Sequence, residues 1–167
     1  MSVPTCVLAD ATLPSGAAVD VVLAGPTVLE TVPAGTGRAP ERIDLGGRLL
    51  LPAGADAHAH LDKAYTWDAI RPPFGDLIAA IEAFHAFQEH ITEDDVLERA
   101  RRAALRLVSH GTIAVRSHVN LLPGDRPFRG VDAMVRLRDE LAGLIDLQLV
   151  ALPPVGMDDA VIEEALD

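Results

Sequence analysis

The feature that most constrains the fold is a change of pattern near residue 50, from short strands to strands that alternate with helices. Apolar and β-branched runs at residues 50–60, 112–119 and 147–152 predict three strands. Apolar residues at helical spacing between and around them predict helices at residues 76–90, 92–110 and 132–142. Strand–helix–strand alternation is typical of a parallel sheet flanked by helices, so the chain is predicted to be α/β.

Specific residues mark the ends of these helices. Thr92 followed by Asp95 resembles a capping box that opens the second helix, and Gly111 is a plausible stop. A fourth helix is predicted to begin at Asp158. The apolar stripes of the first three helices are Leu77, Ile78, Ile81, Phe84 and Phe87; Val96, Leu97, Ala100, Ala104, Leu107 and Val108; and Met134, Val135, Leu137 and Leu141.

Residues 1–50 have a different organisation, with short strands separated by Gly and Pro turns. They predict a small β-sandwich-like module, whose last strand would be residues 48–51. Three parallel strands do not make a closed domain, and a (β/α)₈ barrel typically needs about 250 residues. Residues 51–167 are therefore predicted to be the first part of a TIM-type barrel, with about three βα units.

Composition excludes several classes of function. A formal net charge of −11 argues against a nucleic-acid partner, since such proteins usually present a basic face. No apolar run approaches the roughly 20 residues that cross a bilayer, and the N-terminus lacks the pattern of a secretory signal. Cys6 is the only cysteine, so no intrachain disulfide is expected, and a cytoplasmic location is predicted.

The most specific chemical signal is the pair His58 and His60, separated by one alanine. Side chains at i and i+2 of a strand project from the same face, so both imidazoles can reach one divalent cation. The alternative is two strand-end histidines bonded to backbone, and spacing alone does not decide between them. Active sites of barrel enzymes lie at the carboxyl ends of the strands, which favours the metal site.

Residues 58–63, together with residues 43–52, 111–119 and 147–153, give the chain a resemblance to a known family. The sequence resembles the amidohydrolase superfamily, and within it the cytosine deaminase-like branch that includes isopropylammelide hydrolases. The resemblance implies a metal-dependent hydrolase or deaminase that acts on non-peptide C–N bonds of a cyclic amidine, amide or N-substituted heterocycle. It also implies one divalent ion, Zn²⁺ or Fe²⁺, with His58 and His60 as ligands.

The same resemblance implies that the site is incomplete within this sequence. The family's other two metal ligands, a histidine and an aspartate, and its proton-handling histidine and glutamate are expected beyond residue 167. The sequence also departs from the cytosine deaminases, in which a glutamine after the third strand contacts the pyrimidine. Pro154 stands at the matching place, so another cyclic or N-substituted amide is expected in place of cytosine.

Other residues near the pair have open roles. His118 could orient substrate or support the metal, or could be a histidine satisfied in the barrel mouth. Asp62 and Lys63, the only lysine, could position substrate or form a structural ion pair; the structural role is favoured for Asp62, and both roles stay open for Lys63. Lys63 and His118 are the candidate substrate-binding residues. Tyr65 and Trp67 either shape the pocket or pack in the core, whereas His85, His90 and His110 are expected to be ordinary helix residues.

A second hypothesis is not enzymatic. Exposed edges of an unclosed sheet and unpaired apolar stripes would require a partner. The chain would then be a truncated, inactive fragment that associates with a complementary chain. Assembly of the chain into a homo-oligomer is also left open. The enzyme hypothesis, in contrast, requires only a small-molecule substrate.

Overall fold

The computed structural model describes residues 2–154, 160 and 163. The chain divides into two compact units, Met1–Pro52 and Ala53–Asp167. Among the described residues, the strands are β1 (Cys6–Thr12), β2 (Ala18–Ala24), β3 (Thr27–Pro33), β4 (Glu41–Asp44), β5 (Gly54–Ala59), β6 (Thr112–Asn120) and β7 (Asp146–Leu152). The helices are α1 (Trp67–Ile70), α2 (Leu77–Gln88), α3 (Glu93–Ser109) and α4 (Arg129–Glu140), with a 3₁₀ turn at Leu61–Lys63.

The four strands of the N-terminal unit form one sheet in the order β3–β2–β1–β4. The pairs β1–β2 and β2–β3 are antiparallel, and β4 runs parallel to β1. The prediction of a sandwich-like module is wrong for the described part of this unit, which has no second sheet. A loop around the buried Gly37 packs against Val7 and Asp20 of the sheet. The predicted strand at residues 48–51 is reduced to a single bridge between Leu49 and Thr12.

A buried carboxylate holds this loop against the sheet. Asp20 is fully buried and accepts hydrogen bonds from the backbone N–H groups of Asp10, Gly35 and Gly37 at 2.9 to 3.0 Å. These hydrogen bonds, that of Asp10 foremost, lower the pKa of Asp20, and the Arg42 guanidinium 3.6 Å away adds to the effect. Asp20 therefore links the loop to β1 and β2 as a charged acceptor.

The C-terminal unit is built on a parallel sheet in the order β5–β6–β7, which confirms the α/β class. Helices α3 and α4 pack on one face of it, and their apolar stripes fill the core. Burying apolar surface in this way is the dominant stabilising term, at roughly 25 cal/mol per Å². The fully buried core side chains of this unit include Val96, Ala100, Val115, Val119, Met134 and Leu137.

The other face of the sheet carries the polar side chains. Val115, Ser117 and Val119 are buried, so the alternate residues Arg116, His118 and Asn120 lie on the opposite face. The register pairs Arg116 with Gln148 and His118 with Val150, so the same face continues across β7. Arg116 donates to the Gln148 side-chain oxygen at 3.0 to 3.2 Å. That three strands of this kind begin an eight-stranded barrel stays a prediction.

The helix boundaries follow the sequence with some corrections. The Thr92 hydroxyl accepts from the Asp95 N–H at 3.2 Å and caps α3, as the capping box predicts. Helix α4 begins at Arg129, three residues before the predicted start at Asp132. Short helical segments at Leu61–Lys63 and Trp67–Ile70 were not predicted, because one helical turn is too short to show a periodic pattern.

The stripe predicted for α2 is only half correct. Phe84 and Phe87 pack against the core, whereas Leu77 and Ile78 are 73% and 64% exposed and Ile81 is also exposed. Only the C-terminal half of α2 therefore contributes to the core. The predicted helix from Asp158 lies outside the described residues, apart from the helical Ala160 and Glu163. Within the described ranges, no helix combines the length and apolar character that a bilayer crossing requires.

Candidate metal and substrate site

Three histidine rings meet at the carboxyl ends of β5 and β6. The ring centroids of His58 and His118 are 4.1 Å apart and stacked, and those of His58 and His60 are 5.2 Å apart. The third pair, His60 and His118, is separated by 5.8 Å. The parallel pairing of Ala59 with Ser117 places the two strand ends side by side. The sheet thus brings the predicted ligands and the candidate substrate residue His118 together.

His60 is oriented by the neighbouring strand. Its Nδ1 atom lies 3.0 Å from the main-chain oxygen of His118 and 3.4 Å from Nζ of Lys63. A carbonyl oxygen only accepts and an ammonium only donates, so Nδ1 can serve one of them at a time. The shorter contact assigns the proton to Nδ1, which donates to the carbonyl and leaves the Nε2 lone pair free.

The surroundings of His60 favour its neutral form. Burial lowers the pKa of His60, and the positive charge of Lys63 acts in the same direction. The hydrogen bond to the His118 carbonyl opposes these two effects, because it stabilises the protonated ring. A neutral imidazole with a free ring nitrogen is the form that coordinates a metal ion.

Asp62 makes a structural contact, but not the ion pair with Lys63 that was one of the two alternatives. Its buried carboxylate accepts the Asn120 backbone N–H at 3.0 Å, and no ion pair joins it to Lys63 within the described residues. Burial raises the pKa of Asp62, against the effects of this hydrogen bond and of the nearby Lys63 charge. The ion-pair interpretation is therefore wrong, because Oδ2 turns toward the β6 backbone.

Three buried polar atoms around the site have no hydrogen-bond partner among the described residues. They are Oδ1 of Asp62, Nδ1 of His118 and Oδ1 of Asn120. Such atoms cost free energy unless another group meets them, so they mark places where a ligand or water would bind favourably. Asn120 could have been found from the sequence, since it lies two residues after His118 on the same face.

A cavity of about 250 Å³ adjoins this cluster. Lys63, Asn120 and Thr66 contribute its polar wall, and Phe84 and Ile81 of α2 contribute an apolar wall. Nζ of Lys63 lies 5.5 Å from the centre of the Phe84 ring, within range of a cation–π contact. Both candidate substrate residues thus lie at this end of the sheet, although their role stays a prediction.

The structure places the other aromatic and histidine residues in different surroundings. Tyr65 and Trp67 are 37% and 53% exposed, so core packing is excluded for both, and Tyr65 lines a cavity with His60. His90 is exposed after the end of α2. His110 contacts a helix carbonyl through Nδ1, and it also lines the cavity of His60 and Tyr65. His85, predicted to be ordinary, lines the Lys63 cavity.

The donor set for a metal ion has two well-placed imidazoles. Among residues 2–154, 160 and 163, no three His, Cys, Asp or Glu side chains form a group that could hold a metal ion. A catalytic zinc site normally uses three protein ligands, so His58 and His60 fit part of such a site. Their assignment as metal ligands stays a prediction, as does the location of further ligands beyond residue 167.

Comparisons with curated proteins give consistent relatives. No family model matches the chain. The chain is 28% identical over 162 residues to an N-isopropylammelide isopropyl amidohydrolase of Pseudomonas sp. (strain ADP), covering 89% of this chain and 39% of that protein. It is 30% identical over 145 residues to a pterin deaminase of Rhizobium rhizogenes (strain K84 / ATCC BAA-868), covering 84% of this chain and 33% of that protein. The chain thus spans between a third and two fifths of these relatives.

Solved structures agree on the fold. A 5-methylcytosine deaminase from Klebsiella pneumoniae liganded with 5-fluorocytosine matches with a TM-score of 0.73 at 27% identity, covering 87% of this chain and 36% of that one. An N-isopropylammelide isopropylaminohydrolase from Burkholderia multivorans ATCC 17616 matches with a TM-score of 0.77 at 24% identity, covering 99% of this chain and 43% of that one. A zinc complex of an atrazine chlorohydrolase from Arthrobacter aurescens TC1 matches with a TM-score of 0.67 at 16% identity, covering 97% of this chain and 42% of that one.

The last two likenesses show the fold alone, whereas the others extend to sequence as well. Each match covers at least four fifths of this chain, so the matched region includes the histidine pair. The relatives that match in sequence are hydrolases and deaminases acting on C–N bonds. The relatives in sequence and the structural neighbours of this chain are amidohydrolase-superfamily deaminases and hydrolases, in agreement with the resemblance that the residues around His58 and His60 indicate.

Proposed function

We propose that this chain carries part of the active site of a metal-dependent hydrolase or deaminase that cleaves a non-peptide C–N bond of a small heterocycle. The observation that carries the proposal is the grouping of His58 and His60 with His118 at the carboxyl ends of two parallel strands. Catalytic groups of barrel enzymes occupy this end of the sheet. The names of the relatives support a small heterocyclic substrate.

His58 and His60 would hold one divalent metal ion, Zn²⁺ or Fe²⁺, together with ligands that lie outside the described residues. Nδ1 of His60 donates to a main-chain carbonyl, which aims Nε2 away from the backbone and fixes the ring. Burial lowers the pKa of His60, which favours the neutral ring that binds a metal ion. Such an ion would lower the pKa of a bound water toward 7, by roughly nine units, and polarise the scissile group. A zinc complex of a protein with the same fold supports the choice of metal.

Lys63 and His118 would bind the substrate from two sides of the site. The Lys63 ammonium lines the cavity beside His60 and can donate to a carbonyl or ring nitrogen of the substrate. His118 has a buried Nδ1 at the same strand end, and this atom meets no hydrogen-bond partner in the described part of the chain. Pro154 offers no side-chain donor or acceptor, so we favour a cyclic or N-substituted amide over cytosine.

The test is the metal content of the protein produced at its natural encoded length. We expect one equivalent of Zn²⁺ or Fe²⁺ in the wild type and a loss of it in His58→Ala and in His60→Ala. His90→Ala is the matched control, since His90 is exposed at the end of α2. N-isopropylammelide, pterin and cytosine are the substrates to assay, with release of amine or ammonia as the readout. Unchanged metal content in both site variants would overturn the proposal.

A second candidate has its own observation. Strands β5 and β7 each have one edge without a partner strand in the described part of the chain, and Ile113, Val150 and Leu152 expose apolar surface on this sheet. Such edges favour association, so the chain could be an inactive fragment that pairs with a complementary chain or with itself. Native mass spectrometry of the purified protein tests this. A 17.7 kDa monomer that unfolds cooperatively would contradict it.

A further inference from the structure

An arginine of α3 reaches the loop that follows the histidine pair. Nη1 of Arg99 donates to the main-chain oxygen of Asp62 at 2.7 Å and to that of Ala64 at 2.9 Å. These two carbonyls flank Lys63 on either side in the chain. One guanidinium group therefore fixes the backbone immediately before and after the lysine. Charged donors make the strongest hydrogen bonds of this kind, so the contact restricts the loop.

The guanidinium is itself held in place. Nε and Nη2 of Arg99 donate to the Asp95 carboxylate, one turn earlier in α3, at 2.7 to 3.1 Å. The Arg99 side chain is only 13% exposed, in contrast to the Asp95 side chain at 39%. A planar guanidinium group that is bound to a carboxylate on one side and to two carbonyls on the other has little rotational freedom. Arg99 thus fixes the loop relative to helix α3.

The loop has a conformation that requires such support. Tyr65 has a φ of 59°, in the left-handed region that bulky residues rarely adopt. Residues in this region cost of order 1–3 kcal/mol and persist where surrounding contacts impose them. The adjacent Ala64 carbonyl is one of the two that Arg99 binds, and the Arg102 guanidinium lies 4.1 Å from the Tyr65 ring centre. Helix α3 therefore holds the strained turn at two points.

We propose that Arg99 is a positioning residue that fixes Lys63 beside His60 and at the mouth of the adjoining cavity. The proposal rests on the proposed hydrolase site, in which Lys63 contacts the substrate. Arg99 acts through the loop backbone, since its recorded hydrogen bonds all go to the Asp95 carboxylate and to the two carbonyls. Without it, Lys63 would sample positions away from the 3.4 Å contact with His60.

Lys63 offers a direct probe because it is the only lysine in the sequence. Reductive methylation of the 167-residue chain with ¹³C-formaldehyde labels Lys63 and the N-terminal amine. The Lys63 signal reports on the rings of His60 and Phe84 nearby. In Arg99→Gln we expect this signal to move at least halfway toward its position in the urea-unfolded chain. Thermal unfolding of each variant verifies that it is folded.

Arg101→Gln is the matched control. Arg101 belongs to the same helix and pairs with Glu98 and Glu140, but it does not reach the loop in the contacts described. Its substitution should leave the Lys63 signal in place. A folded Arg99→Gln chain with an unmoved Lys63 signal would overturn the proposal. If Arg99→Gln does not fold, Asp95→Asn replaces it, since that change removes the anchor of the guanidinium. We expect a smaller shift in the same direction, and no shift overturns the proposal.

Kinetics separate this proposal from the proposed function. In the protein of natural encoded length, with Zn²⁺ added and N-isopropylammelide as the probe substrate, Arg99→Gln should lower kcat/KM by about a hundredfold at unchanged zinc content. The same loss in a Lys63→Met background would contradict action through Lys63. A wild-type protein that neither binds Zn²⁺ nor turns over any test substrate would contradict the proposed function. The lysine signal would still decide whether Arg99 positions the loop.

Discussion

Nδ1 of His60 lies 3.0 Å from the main-chain oxygen of His118, a contact that joins the ends of β5 and β6. Because the carbonyl can only accept, the ring proton is expected on Nδ1. A long-range ¹H–¹⁵N correlation spectrum of the metal-free protein near neutral pH should show this tautomer for His60. The exposed His90 serves as the reference for an unconstrained ring. A proton on Nε2 of His60 would contradict the assignment and the free Nε2 lone pair.

A second prediction concerns the buried Ser117, whose Oγ accepts the Leu61 N–H at 3.1 Å. Ser117→Ala would leave this buried N–H unpaired, so the free energy of unfolding should fall by about 1–3 kcal/mol. Urea unfolding measures the change. Ser109→Ala is the control, because Ser109 is exposed and bonds within its own helix. The control should change stability by less than about 0.5 kcal/mol, and equal effects of the two substitutions would refute the prediction.

A third prediction concerns Gly37, where the loop packs on the N-terminal sheet. A Cβ atom at this position would lie 2.7 Å from Cγ2 of Val7 and 2.9 Å from Cβ of Asp20. Gly37→Ala should therefore destabilise the protein by about 1–3 kcal/mol through overpacking, as measured by urea unfolding. At Gly54 the nearest atoms to an added Cβ are 3.8 Å away, so Gly54→Ala is the control. A Gly37→Ala protein that is more stable than the wild type would contradict this prediction, because the loop would then accommodate the added methyl group without strain.

The last prediction is the pH dependence that Asp20 confers. Its hydrogen bonds lower the pKa below the ordinary 3.8, so the charged form stabilises the folded state. This contribution is present above the unfolded pKa and is lost as the pH falls through the lower folded pKa. The thermal midpoint of the N-terminal unit should therefore decrease as the pH is lowered below about 3.8.

Asp20→Asn tests the same contribution at neutral pH. An amide has one oxygen, so its NH₂ group would face the N–H of Asp10 or those of Gly35 and Gly37. We expect a lower thermal midpoint at pH 7 and a weaker acid dependence, measured by circular dichroism. Asp44→Asn is the control, since Asp44 is exposed and accepts one local N–H. An acid dependence that is identical in Asp20→Asn and wild type would contradict the role of this carboxylate.

Part of the fold could be read from the sequence, and part could not. The three parallel strands, the Thr92 cap and the apolar stripe of α3 were predictable, because each depends on residues close together in the chain. The exposed N-terminal half of α2 was not, since its periodicity matches that of a buried helix. Periodicity places apolar residues on one side of a helix but does not say whether another element covers that side.

The candidate site shows the same division. The sequence by itself determined the pairing of His58 and His60, the shared face of Arg116 and His118, and the family resemblance. Only the tertiary structure decided that Arg99 binds the carbonyls of Asp62 and Ala64, 37 and 35 residues away. It also decided that Asp20 anchors a loop rather than facing solvent. Local patterns follow backbone geometry, whereas these contacts depend on which distant elements the buried core brings together.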